Sequence, residues 1–135
     1  DLHYPAANIL VADVALNAGR GRWRGFDRES LASVERSLKA KNANEADFWS
    51  IVGDIELRQH KALAARKLAS RHRALENDYR ALYKRVKATR LWASVYDTAF
   101  LVLRSYAERV SGREKAAAHT LLDLLRAFAH PDAEQ

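Results

Sequence analysis

Cysteine and methionine are absent from the 135-residue chain, and only five glycines and two prolines interrupt it. Without cysteine there is no disulfide framework and no thiolate chemistry, so a reducing cytoplasm is the simplest setting. The scarcity of glycine and proline argues against the turn-rich texture of a sandwich or barrel, and the abundance of alanine and leucine favours helices. Long apolar runs are missing too. A membrane-spanning helix needs ~20 apolar residues. The longest run, Asn8 to Leu16, is broken by Asp13, and no basic residue precedes it as in a signal peptide. No membrane partner is expected. Lacking even an initial methionine, residues 1–135 read as a single helical domain, a fragment of a larger protein.

What is present is ordinary globular composition, 48% hydrophobic and 30% charged. The net charge of +6 is unevenly placed. Between Arg58 and Arg90 eleven lysines and arginines face only Glu76 and Asp78, an excess of nine, which leaves the remainder at −3. Such asymmetry speaks of surfaces and partners, not of fold.

Apolar spacings of three and four predict helices throughout, and no window of clean alternation competes with them. The first begins near Pro5, carries Ile9, Leu10, Val14 and Leu16, and stops at Asn17-Ala18-Gly19. A basic loop, Arg20 to Phe26, follows. Asp27 caps a second helix with Leu31, Val34 and Leu38 on one face. Asn44 is the expected cap of a third, whose core face is Phe48, Ile51, Val52 and Ile55. From Asp54 to Ser111 there is neither glycine nor proline, and Leu68, His72, Leu75, Tyr79, Leu82 and Val86 form a heptad-like seam. One long helix is possible there, but breaks at Glu76-Asn77-Asp78 and Lys87-Ala88-Thr89 are favoured, since globular helices average ~11–12 residues. Trp92, Val95, Tyr96, Ala99, Leu103 and Tyr106 mark the next helix, and Leu121, Leu124, Leu125 and Phe128 the last, which His130-Pro131 ends. The fold class is all-α, with about six to seven helices in antiparallel hairpins.

Trp49-Ser50-Ile51-Val52-Gly53, with Ala65 twelve residues beyond Gly53, resembles part of the tetratricopeptide repeat pattern, in which small residues let paired helices approach closely. Glu56 stands where that pattern has an aromatic, His72 where it has a small residue, and no second copy follows. The order His3-Tyr4-Pro5-Ala6-Ala7-Asn8, then Asp47-Phe48-Trp49, then Trp92-Ala93-Ser94 is similar to the tetratricopeptide-type central regulatory domain of the apoptosis signal-regulating kinases and its bacterial relatives. The resemblance implies a right-handed helical stack and a regulatory, protein-binding module of a larger signalling protein. It brings no catalytic residues.

Candidate sites lie on surfaces. If helical, Arg66, Arg73, Arg80, Lys84 and Lys87 fall near one stripe beside the seam, suited to an acidic protein face or to the phosphates of a nucleic acid. The alternative is a solvated face whose long stems cover apolar surface. Arg22 and Arg24 flank Trp23 in the basic loop, which either grips a phosphate or acidic peptide or turns Trp23 back onto the core. Asn8, Asp13 and Asn17 interrupt the first helix and are candidates for a peptide groove, or else its exposed stripe. Trp49, Trp92, Tyr96 and Phe100 read as core. The histidines (His3, His60, His72, His119, His130) fall in no recognised metal-ligand pattern, and no phosphate-binding glycine loop, nucleophile elbow or paired-carboxylate motif occurs. No catalytic residue, metal or cofactor is therefore expected. The leading expectation is a protein-interaction or regulatory scaffold module, and the alternative a nucleic-acid-binding domain using residues 58–90. A weaker third is subunit assembly through the seam.

Overall fold

The computed structural model describes residues 4–134, so His3 lies outside it. The described residues form six α-helices and no strand: α1 (Tyr4–Asn17), α2 (Arg28–Asn44), α3 (Phe48–Ala64), α4 (Leu68–Arg85), α5 (Thr89–Arg109) and α6 (Gly112–Ala129), closed by a 3-10 turn (Pro131–Glu134). The class is all-α. No helix among the described residues is long and apolar enough to cross a membrane.

Local chemistry sets most boundaries. Asp27 accepts a hydrogen bond from the Ser30 amide at 2.9 Å and so caps α2. The cap of α3 is Asp47 rather than Asn44, because Asp47 and Ser50 close a reciprocal capping box. Asn44 instead sits in the last turn of α2, where its amide nitrogen donates to the Ala40 carbonyl. Gly19 ends α1 at φ +91, and a Cβ there would meet Arg109 Cβ at 2.9 Å, so both conformation and contact require glycine.

The chain from Asp54 to Ser111 is indeed broken, though not at Glu76-Asn77-Asp78, which runs through the middle of α4. Those three residues carry no helix-stopping glycine or proline, and the helix gains tertiary partners on both sides of them. The breaks fall at Ala65-Arg66-Lys67 and Val86-Lys87-Ala88. In the first, Lys67 N donates to Ala62 O and Arg66 N to Leu63 O, a Schellman pattern that puts Arg66 at φ 54.

Packing does not follow chain order alone. α1 packs on α2, α3 and α5, α3 on α4, and α6 against both α4 and α5, the α5–α6 hairpin being the most extensive pair. The backbones of successive helices α4 and α5 are not closely apposed, and the two meet through side chains, Tyr79 and Tyr83 of α4 against Trp92 of α5; α6 folds back to pack on both. At the centre Trp92 is fully buried, its Nε1 donating to Val86 O at 2.7 Å. Rings of Phe48, Tyr79, Tyr83 and Phe128 surround it at 5.0–6.4 Å, mostly edge to face. A smaller cluster of Leu10, Val34, Leu38 and Leu57 fills the space between α1, α2 and α3.

The expectation that Trp49 and Phe100 belong to the core is corrected. Trp49 is 39% exposed and Phe100 37% exposed, because the α3 and α5 faces that carry them look outward from the Trp92 cluster. On α1 likewise, Ile9 and Leu16 stand in solvent while Leu10 and Val14 are buried.

Candidate functional site

Two regions concentrate polar groups: the outer face of α4, and a cavity where α1, α2, α3 and α5 meet.

On α4, Arg73, Arg80 and Lys84 are exposed and lie in one row along the helix. The row spans about 16 Å, at 1.5 Å per residue. Its centre sits about 150° around the helix from the centre of the buried seam of Leu68, Leu75, Tyr79 and Leu82, so it lies on the far side and not beside the seam as the spacing suggested. None of the three cations forms an ion pair with a described residue. The two acids of α4 are engaged elsewhere: Asp78 accepts from Arg58 Nη1 at 2.7 Å, and Glu76 meets His72 Nδ1 at 2.5 Å.

Arg66 and Lys87 do not extend this row, since both lie in the turns that bound α4. Arg66 donates to the Gly19 carbonyl. Arg20 Nε donates to Leu16 O at 2.7 Å and Arg109 Nη1 to Ala18 O at 3.2 Å, so three guanidiniums from three segments cover the carbonyl end of α1. Burial, followed by the nearby Arg20 charge, lowers the Arg109 pKa. Arg66 thus has a structural use, and Lys87 lies over the Tyr83 ring at 5.9 Å. Arg22 and Arg24 are exposed in the loop, but Trp23 between them turns inward, meeting Phe26 edge to face at 5.2 Å and packing on the main core.

The cavity holds about 200 Å³ and is mostly apolar, with Leu10 and Val11 from α1, Leu38 from α2, Leu57 from α3 and Val95 from α5 in its walls. Trp49 stands in its wall and remains partly open to solvent. Of the groove candidates, Asn8 lines this cavity; Asp13 and Asn17 do not, although both are half-buried elsewhere on α1. α3 contributes Glu56 and His60, one helical turn apart. Glu56 forms no hydrogen bond or ion pair with a described residue, and burial raises its pKa to about 7. His60 is 5% exposed, its Nδ1 is buried without a partner, and burial lowers its pKa to about 4. A buried histidine and a half-buried carboxyl lining one apolar cavity, neither with a partner among the described residues, are costly to folding, and such groups concentrate at functional sites.

Sequence reasoning passed over both residues. His60 counted as an isolated histidine, and Glu56 as a departure from the repeat pattern. The available signal was their i,i+4 spacing on a helix whose i−4 and i+1 neighbours, Val52 and Leu57, are core. No group of three or more potential metal ligands occurs among the described residues.

Comparison with protein-family models, with curated proteins and with solved structures finds no match to this chain.

Proposed function

We propose that this domain is a protein-binding, regulatory module of a larger signalling protein, acting through recognition rather than catalysis, in the cytoplasm. Its α4 row engages an acidic face of the partner or of a neighbouring domain. The observation that carries this reading is the uncompensated row Arg73, Arg80 and Lys84, on a helix whose own acids are spent on Arg58 and His72. A row of this kind steers an oppositely charged surface and fixes its register. The tetratricopeptide-like resemblance, with its implied helical stack and partner-binding role, points the same way.

Nucleic acid is the second reading, using the same cations. It is disfavoured by the fate of the nearby aromatics. Tyr83 stacks on Phe128 at 4.0 Å with ring planes 3° apart, and Tyr79 is buried, so no platform is left near the row for bases to stack on.

The test pairs the full chain with an acidic helical peptide carrying glutamates at the spacing of the row, and with single-stranded and duplex DNA, across about 50–200 mM salt. The peptide is expected to bind tighter than either DNA, and the triple variant R73E/R80E/K84E to lose it. Peptide binding that survives the triple variant overturns the role of the row. DNA binding tighter than peptide binding, lost in that variant, transfers the site to nucleic acid.

A further inference from the structure

Glu56 and His60 sit in the wall of a cavity that no described residue fills, and the α4 row has no bearing on them. We infer that this cavity is a binding site for a small amphipathic amine: one ring or a short alkyl body, carrying a primary ammonium group. The body follows from the volume. Apolar cavities of about 150 Å³ accept benzene, and the cavity here is about 200 Å³ with largely aliphatic walls. That leaves room for one ring and a short polar arm.

The head group follows from the polar lining. Among the described residues lining the cavity, Glu56 is the one that can carry negative charge, and none carries a permanent positive charge. An ammonium seated there gives the Glu56 carboxylate the counter-ion it lacks. His60 lines the cavity one turn from Glu56 and stays neutral in this setting, so it adds no charge that competes with the ammonium. Trp49 in the wall offers a ring face to a cation entering from solvent. A carboxylate ligand would meet Glu56 as a like charge. A neutral ligand would leave Glu56 as it is now, half-buried and without a counter-ion among the described residues.

Binding is coupled to a proton. The ammonium selects the ionised carboxylate, so Glu56 releases its proton as the amine enters, and affinity rises with pH through about 7. The groups facing Glu56 do not blur this. His60 is neutral throughout that range and Tyr79 of α4 is held well above it by burial. Asn8 of α1, Ser37 of α2, and Ser94 and Thr98 of α5 do not titrate.

The experiment is calorimetric titration of the full chain with 2-phenylethylamine, its neutral counterpart 2-phenylethanol and the acid 3-phenylpropionate, at pH 6 and pH 8. The amine is expected to bind about tenfold or more tighter than the alcohol at pH 8, a preference set by one charge-assisted contact. It should bind more weakly at pH 6, and the acid should not bind. Glu56→Gln, nearly isosteric, is expected to erase both the preference and the pH dependence while leaving helicity intact. Equal or tighter binding of the alcohol, no binding of the amine, or a preference that survives Glu56→Gln overturns the assignment.

Discussion

Glu56 and Glu114 are the same residue on neighbouring parts of one helical domain, and the fold treats them in opposite ways. Glu114, in the first turn of α6, accepts hydrogen bonds from the amides of Leu68 and Ala69 at 2.9 and 2.8 Å and from Tyr106 Oη at 2.7 Å. It serves as the N-cap that α4 does not supply for itself, since Lys67 offers no side-chain cap. The bond to Glu114, after burial, also raises the Tyr106 pKa. Glu56 has no such donors, in a more apolar setting. A half-buried carboxylate with three donors is architecture; one with none is a standing cost to folding. That contrast is what marks the α3 cavity as the place to look for a ligand.

The contrast can be broken most forcefully at Glu114. Glu114→Ala is expected to cost about 2–4 kcal/mol, because it strips a cap from α4 and leaves two amides and a phenol without an acceptor. Urea unfolding measures it, and a loss below about 1 kcal/mol would reduce Glu114 to an ordinary surface residue.

At Glu56 the sign reverses. The folded chain keeps a proton on this carboxyl that the unfolded chain releases above about 4.5, so stability falls as pH rises from there to about 7. Glu56→Gln removes that penalty. Discounting for the part of the side chain that still meets solvent, we expect a gain of about 1–3 kcal/mol at pH 8, with the preference for the amine over the alcohol lost in the same variant. His60 works in the other direction. The unfolded chain protonates it below about 6.5 whereas the folded chain resists until about 4, so stability falls as pH drops through that window. In the parent chain the two slopes oppose each other between about 4.5 and 6.5. Glu56→Gln should expose the His60 slope there, with stability rising with pH. A stability that stays flat across this window in the variant would contradict the burial of His60.

The smallest effect belongs to α4. Charge reversal at Arg73, Arg80 or Lys84 is expected to change stability by less than about 0.5 kcal/mol each, since these side chains are exposed and pair with nothing among the described residues. A larger loss, followed by thermal melting, would mean that the row is holding α4 in place and is not a free surface.

Much of this architecture was legible in the residues. The all-α class, the stop at Gly19, the cap at Asp27, and the core faces of α4 and α6 all follow from spacing and capping chemistry, which act within one or two turns of chain. The errors share one cause. Asn44 lost to Asp47 because Ser50 completes a reciprocal box three residues on. Trp49 and Phe100, apolar at helical spacing, read as core, yet which apolar face a helix buries depends on neighbours far away in sequence. Arg66 looked like part of a stripe until the Schellman turn at the end of α3 aimed it at Gly19.

The sequence by itself determined where the chain turns helical, where most helices stop, and that positive charge gathers between Arg58 and Arg90. These are properties of propensity, capping and composition, all local. Tertiary structure alone decided that α6 reaches back to cap α4, that α5 lies against α1, and that Glu56 and His60 line one apolar cavity. Each depends on residues brought together from distant stretches of the chain, and the penalty on the Glu56 charge exists only once that packing has kept water from much of the side chain.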